Sequence, residues 1–281
     1  MRFLILSDIH GNNIALNHIL SSVPNERYDK ILVLGDNIGD GPCPDKVLQT
    51  LMDRDAILIQ GNRELLACQH FEGNSITKDA LQWDFMRRTL SYLTLRMRRL
   101  IAETPQSYSV PADDMSILMV HGSPFFIREL LFPNYPSRLN ASLDYINEHI
   151  LLCGHNHLQF SYIFNDKLAL NPGSVGLCQT GEPFRADYAL IDVRQGQFSF
   201  ELNHIYYNGS LIHKEFENRG LFDNGIWGRI AYMEMSEGKM YINSFARFVF
   251  QLAKNADLGT DPIPDEIWEK ASAEWDWMPT N

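Results

Sequence analysis

The first twelve residues, MRFLILSDIHGN (residues 1–12), join a short apolar run to a group of polar side chains. The run Phe3–Leu6 predicts a strand that is covered on both faces, since it is continuously apolar and ends abruptly at polar residues. Asp8 and His10 follow where this strand ends. Side chains two positions apart in extended backbone point to the same side, so both can approach one ligand.

The same arrangement recurs twice in the next fifty residues. Ile31–Leu34 runs into Gly35 and Asp36, and Ile57–Ile59 is followed closely by Gly61 and Asn62. Ligand sites of α/β sheets lie beyond the carboxyl ends of the strands. We therefore expect Asp36 and Asn62 to lie beside the first pair of polar residues.

Two histidine motifs follow apolar runs in the second half of the chain. His121-Gly122 comes after the run 116–120, and Gly154-His155-Asn156-His157 comes after the run 150–153. A single histidine is usually structural, but two histidines at this spacing after an apolar strand favour a metal site. We expect all five motifs to meet at one place.

The five motifs supply carboxylate, imidazole and amide ligands for two divalent cations. Two cations about 3.5–4 Å apart are a common arrangement for phosphoryl transfer. This ligand chemistry suits Mn, Fe, Zn or Ni without selecting one of them. Among the four, we expect manganese. The predicted ligands are Asp8, His10, Asp36 and His157 for one ion, and Asn62, His121 and His155 for the other, with Asp36 bridging the two.

Strand-like runs dominate the second half of the chain and helical periods dominate its end. Seven runs between residues 107 and 202, several with period-2 alternation, predict a second and more antiparallel sheet. After Tyr207, two stretches place apolar residues on one helical face. We expect a domain at residues 1–207 and a mainly helical C-terminal extension at residues 208–281.

The extension carries four of the five tryptophans. They are Trp227, Trp268, Trp275 and Trp277. Packing in the core of the extension is one interpretation of them. A lid over the site is a second, and a contact that forms a homo-oligomer through the extension is a third.

The bulk composition excludes several classes of protein. Thirty-five acidic and 24 basic residues give a net charge of −11, which argues against binding to nucleic acid or to an anionic membrane. The four cysteines are scattered, which argues against a disulfide framework or a thiolate metal site. No apolar segment is long enough for a signal peptide or a membrane span, so we expect a cytoplasmic protein.

Several motifs together resemble one known family. They are MRFLILSDIHGN at 1–12, LGD at 34–36, GP at 41–42, GN at 61–62, HGSP at 121–124, GHNH at 154–157 and NPGSVG at 171–176. In this order they resemble the calcineurin-like metallophosphoesterase superfamily, and within it the bacterial and archaeal phosphodiesterase-like branch. The resemblance covers about residues 1–206.

The resemblance implies both the fold and the site. The fold class would be α+β (α/β), a four-layer αββα sandwich of two mixed sheets flanked by helices, with the binuclear site at one edge. It implies the same metal ligands as the motifs do. We also expect catalytic roles for Asp36, His121 and Arg63, and substrate contacts from Asn62, Arg63, Asn171 and Ser174, the last two by analogy with the family.

One position departs from the family pattern. Many members carry histidine after the Gly-Asn pair, where it is credited with helping the leaving group, whereas this chain has Arg63. A guanidinium stays charged at neutral pH and cannot act as an acid. Arg63 either grips a phosphate oxygen or pairs with a nearby carboxylate such as Glu64. Asp40 either lines the site or forms part of a turn.

These observations predict an enzyme. We expect a metal-dependent phosphoesterase that hydrolyses a phosphodiester or a nucleoside polyphosphate, such as a dinucleoside polyphosphate, by in-line attack of a hydroxide held between the ions. Its partner would be a small phosphorylated molecule. The alternatives are a phosphomonoesterase, including a protein phosphatase, and a non-catalytic scaffold of the same fold.

Overall fold

The computed structural model describes residues 1–71, 80–223, 226–259 and 262–275. Trp277 lies outside these ranges. The strands within them are β1 (Arg2–Leu6), β2 (Lys30–Val33), β3 (Ile57–Leu58), β4 (Ser107–Ala112), β5 (Met115–Val120), β6 (Ile150–Leu152), β7 (Gln159–Phe164), β8 (Lys167–Pro172), β9 (Arg185–Arg194) and β10 (Gln197–Tyr206).

Helices occupy most of the remaining chain that the structure describes. They are α1 (Asn13–Ser22), α2 (Pro44–Asp53), α3 (Asn62–Phe71), α4 (Asp84–Tyr92), α5 (Leu95–Glu103), α6 (Pro136–Tyr145), α7 (Gly209–Asn218), α8 (Ile226–Glu237), α9 (Ile242–Asn255) and α10 (Asp265–Glu274).

The strands form two five-stranded mixed sheets. The first has the order β10-β9-β1-β2-β3, in which β1, β2 and β3 run parallel. The second has the order β4-β5-β6-β8-β7, with a parallel centre and an antiparallel strand at each edge. Three parallel strands of each sheet therefore deliver their carboxyl ends to a common edge, where the motifs follow.

The hairpin of β9 and β10 lies in the first sheet, whereas the sequence pattern predicts all strands of the second half in the second sheet. β9 pairs antiparallel with β1 through Leu4 and Leu190, and β10 closes that edge. The physical reason lies in the burial of β9, which is covered on both faces along most of its length. A strand of that kind needs a central position, and the free side of β1 provides it.

Buried side chains divide the molecule into layers. Between the two sheets, apolar residues of both inner faces form one core, which includes Phe3, Ile5, Leu32, Ile117, Ile150 and Leu168. A second core covers the outer face of the first sheet, and a third packs α6 on the outer face of the second sheet. The four-layer αββα sandwich is thereby confirmed.

The helices begin where local chemistry favours it. The Asn12 side chain accepts a hydrogen bond from the amide of Ala15 and caps α1, as the position of an asparagine before the helix predicts. Pro44 is the first residue of α2, where its missing amide hydrogen costs nothing.

The C-terminal helices pack into the main body of the protein. Phe245, Val249 and Trp268 share one core with Leu16 of α1 and Val47 of α2. The helical stripes of the sequence analysis are thus buried, with tryptophan in the core as the first interpretation had it. Within the described ranges, no helix has both the length and the apolar character that crossing a membrane requires.

Candidate metal centre

Two clusters of potential metal ligands lie side by side at the common edge of the sheets. In one cluster, ligand atoms of Asp8, His10 and His157 lie within 4.8 Å of one another. In the other, ligand atoms of Asp36, His121 and His155 do so. Five of these six residues are buried. The structure therefore brings together residues from four of the five motif segments, as the motifs predict.

Asp36 and Asp8 each reach toward both clusters. Asp36 Oδ2 lies 3.8 Å from His10 Nε2 and 3.5 Å from His121 Nε2. Asp8 Oδ1 lies 3.4 Å from His157 Nε2 and 3.9 Å from His121 Nε2. Asn62, the first residue of α3, places Oδ1 3.2 Å from His121 Nε2. The amide ligand thus joins the second cluster, where it was expected.

Three of the histidines are held by their other ring nitrogen. Nδ1 of His121 lies 2.7 Å from the carbonyl oxygen of Leu34, and Nδ1 of His157 lies 2.8 Å from that of Leu177. Nδ1 of His10 lies 2.9 Å from an Asp40 carboxylate oxygen. A carbonyl oxygen only accepts, so Nδ1 of His121 and of His157 carries the hydrogen, and Nε2 of a neutral imidazole presents its lone pair to the centre.

These lone pairs face other acceptor atoms and not hydrogen-bond donors. The contacts among them show whether a cation fits the site. Nε2 of His10 lies 3.3 Å from Nε2 of His157. Asp8 Oδ1 is fully buried and accepts no hydrogen bond within the described part of the chain. Electron-rich atoms in this arrangement repel one another unless a positive charge lies among them. The donor set of carboxylate, imidazole and amide groups fits divalent metal ions.

The backbone at the centre adopts an unusual conformation. Six site residues other than glycine have φ angles between 47° and 68°, in the left-handed region. Asp and His tolerate this region better than most residues, but each instance still costs about 1–3 kcal/mol. The six residues are Asp8, His10, Asp36, Asp40, His155 and His157.

Gly35 and Gly61 permit a close approach between the loop that carries Asp36 and the loop that carries Asn62. Gly35 has a φ of +90°, and a Cβ placed there would lie 2.7 Å from the Gly61 Cα and would also collide with the Gly61 amide. A Cβ at Gly61 would overlap Asp36 Oδ1. The glycines therefore let Asp36 reach the centre while its neighbours pack backbone against backbone.

Charges within the clusters shift one another's titration. At Asp8, burial favours the neutral acid, but His157 and His121 outweigh burial and hold the pKa well below its usual range. At His121, burial opposes protonation, but Asp36 and Asp8 raise the pKa to about 9. Burial and the nearby imidazole of His121 lower the pKa of His155 to about 4. The ionised carboxylates thus attract positive charge to the centre, which a proton on His121 or a bound cation can supply.

Arg63 pairs with a nearby carboxylate, as one of the two interpretations predicts, but the partner is Asp40 and not Glu64. Nε and Nη2 of Arg63 donate to the Asp40 carboxylate at 2.9 and 3.1 Å. Glu64 instead accepts hydrogen bonds from the backbone amides of Asp36, Asn37 and Gly61. Asp40 therefore links Arg63 to the ligand His10, and Glu64 fixes the loop that carries Asp36.

Asn171 and Ser174 are buried beneath the site, and neither lines the cavity beside the clusters. Asn171 donates to the Gly154 carbonyl and accepts from the Gly173 amide. Ser174 donates to the Asp8 carbonyl and accepts from the Leu177 amide. Because these bonds occupy both side chains, they brace the ligand loops and do not make the substrate contact that the sequence analysis predicted.

A cavity of about 330 Å³ opens beside the two clusters. His10, Asp36 and Arg63 line it, and the C-terminal extension contributes to its wall. The wall residues from the extension and from the loop after β5 carry no motif that the sequence analysis recognised. They include Arg128, Leu130, Phe132, Glu234, Met240, Ile242 and Asn243.

Glu234 of α8 ties the extension to the cavity. It accepts hydrogen bonds from the backbone amides of Tyr241 and Ile242 and from the Gln179 side chain. Its buried carboxylate thus fixes the turn between α8 and α9 at the mouth of the site. A lone glutamate in a helical stretch gives no sequence signal for this position. Glu64, in contrast, does have a sequence signal, because it follows Gly61 by three residues at a helix start, which is the spacing of a capping box.

Comparison with known proteins gives one family. A sequence model of the calcineurin-like phosphoesterase superfamily domain matches residues 1–196. The uncharacterised protein MJ0912 of Methanocaldococcus jannaschii is 26% identical over 233 residues, which are 76% of this chain and 89% of the relative.

Two solved structures share the fold. A metallophosphoesterase from Sphaerobacter thermophilus has a TM-score of 0.68 and 23% identity, and the match covers 85% of this chain and 100% of that one. The hypothetical protein PH1004 from Pyrococcus horikoshii OT3 has a TM-score of 0.68 and 19% identity, with 84% and 98% covered.

Proposed function

Because the chain belongs to the calcineurin-like phosphoesterase superfamily, we propose that it hydrolyses a phosphodiester or a nucleoside polyphosphate with two divalent cations as cofactors. The observation that carries the proposal is the convergence of electron-rich atoms from two clusters on a buried centre, with Asp36 reaching toward both. That arrangement is hard to explain as a structural feature, since burying so many ionisable groups at one place is costly unless opposite charges balance them.

The seven predicted ligands would hold the cations. When bound, two such ions polarise a phosphoryl oxygen and lower the pKa of water. The chain's own residues fix the geometry around them. Leu34, Leu177 and Asp40 orient three imidazoles through Nδ1, and Glu64 anchors the loop of Asp36. Such outer contacts preserve ligand orientation as substrate enters.

The size of the cavity supports the proposal of a small substrate. A volume of about 330 Å³ lies at the lower end of the range for small-molecule sites. Arg63 borders it with 20% of its side chain exposed, and the Asp40 pair holds the guanidinium in one orientation. Nη1 of Arg63 donates no hydrogen bond to any described residue, so it is available to a phosphate oxygen.

The test is metal loading combined with hydrolysis. Purified protein is stripped with a chelator and reloaded separately with Mn²⁺, Fe²⁺, Zn²⁺ or Ni²⁺, and bound metal and hydrolysis of bis-p-nitrophenyl phosphate are measured. We expect two ions per chain and hydrolysis that depends on them. Preferential hydrolysis of p-nitrophenyl phosphate would favour the phosphomonoesterase instead. A protein that binds neither ion and hydrolyses neither ester would exclude the enzyme.

Leaving-group dependence provides a second prediction. Burial opposes the charge on Arg63, but Asp40 and Asp36 raise its pKa further, so it cannot donate a proton to a departing alkoxide. A missing general acid typically costs about 10²–10⁴-fold for poor leaving groups. We therefore expect kcat/KM to fall by at least about 10²-fold from a p-nitrophenyl to a phenyl diester.

The matched variant is Arg63→His, which places the family's usual residue beside Asp40. Because an imidazole can protonate the departing oxygen, this variant should depend less steeply on the leaving group than the wild-type protein. Equal rates for the two diesters in the wild-type protein would contradict the prediction.

A further inference from the structure

The cavity beside the clusters has two walls that lie outside the metal-ligand motifs. One wall comes from the loop between β5 and α6, with Arg128, Leu130 and Phe132. The other wall comes from the turn between α8 and α9 and from the start of α9, with Met240 and Ile242. Most of these wall residues are apolar, and Arg128 is the cation among them.

Arg128 has no charged partner of its own. It makes no hydrogen bond or ion pair within the described ranges, and its side chain is exposed. The adjacent carboxylate of Glu129 is already engaged, since Arg138 donates to it at 2.5 Å and Ser123 also donates to it. Because the neighbouring carboxylate is already hydrogen-bonded, the N–H groups of the Arg128 guanidinium remain available to a ligand.

The other carboxylates near the cavity are also occupied. Asp40 accepts both donors of the Arg63 fork and lies against His10. Both oxygens of Glu234 accept hydrogen bonds from the extension and from Gln179. Arg63 is therefore neutralised by a fixed partner, whereas the charge of Arg128 is not.

We propose that Arg128 binds a phosphate of the substrate other than the one that is attacked, and that the apolar walls hold the organic group. The inference rests on the proposed function and narrows it to phosphoanhydrides, that is, nucleoside polyphosphates. The clusters serve only the phosphorus under attack, so a further phosphate needs its own cation. The planar fork of arginine matches phosphate oxygens in pairs.

The test compares two substrates across three variants of the full chain in Mn²⁺. The substrates are diadenosine tetraphosphate, which carries additional phosphates, and bis-p-nitrophenyl phosphate, which carries one. The variants are Arg128→Ala, Arg128→Lys and, as control, Arg247→Ala. Arg247 lies on α9, is exposed, forms no ion pair within the described residues and does not line the cavity.

The readout is the ratio of kcat/KM for the tetraphosphate to that for the diester. We expect Arg128→Ala to lower this ratio by at least about tenfold through KM, Arg128→Lys to lower it less because the charge remains, and Arg247→Ala to leave it unchanged. An unchanged ratio in Arg128→Ala overturns the inference, as does a wild-type protein that cleaves only the diester. A wild-type protein that cleaves neither substrate overturns the proposed function instead.

Discussion

Asp36→Asn is expected to lower kcat/KM for bis-p-nitrophenyl phosphate by at least about 10³-fold, or roughly 4 kcal/mol of transition-state stabilisation. Asp36 is 2% exposed and its carboxylate reaches toward both clusters. The substitution retains the shape of the side chain and removes only its charge. Asparagine also tolerates the φ of 51° at this position, so the backbone should be preserved.

Asp55→Asn is the matched control. Asp55 also has a positive φ, of 49°, but its side chain is 95% exposed and lies far from the clusters in the fold, after α2. The same chemical change on the same type of backbone should therefore leave hydrolysis and bound metal unaltered. Full activity in Asp36→Asn, with two ions still bound, would contradict the bridging role of Asp36.

Gly35→Ala is expected to destabilise the fold by about 4 kcal/mol, since left-handed strain and an overpacked contact each cost about 1–3 kcal/mol. The added methyl group would meet the backbone of Gly61, which has no flexible end that can move aside. For a chain of this size the loss corresponds to a drop in Tm of roughly 10 °C, measured by calorimetry on the metal-free protein.

Gly196→Ala separates the two causes of that loss. Gly196 also has a positive φ, of +68°, but nothing lies within 4 Å of a Cβ placed there. This variant therefore retains the strain and omits the collision, and we expect it to lose only about 1 kcal/mol. Equal losses of unfolding free energy in the two variants would show that the collision with Gly61 adds nothing to the effect of Gly35→Ala.

The sequence predicted which side chains meet at the candidate metal centre because their signal is local. Each motif comes directly after an apolar run, and strands of one sheet end at one edge. Asp8 and His157 could therefore be placed together, although 149 positions separate them in the sequence. The order of strands in the sheets brings them to one edge. The helix caps were predictable for the same reason, since Asn12 and Pro44 act on their own neighbours.

What the sequence could not predict depends on contacts between distant segments. The partner of Arg63 is Asp40 from another loop, whereas the adjacent Glu64 bonds to backbone amides. The turn held by Glu234 reaches the cavity only because α8 and α9 pack beside the first sheet. Such pairings follow from the tertiary arrangement, which no spacing of residues along the chain encodes.

The left-handed backbone under the ligands restricts the substitutions that the site can accept during evolution. Valine, isoleucine and other branched residues are poorly suited to it, while asparagine and glycine are tolerated. A descendant of this chain that lost its two clusters would accept asparagine or glycine at these positions more readily than branched residues. Some motif residues would then remain after the metal site is lost. A distant homologue that retains only several of the motifs is therefore weaker evidence for an enzyme than one that retains the complete set.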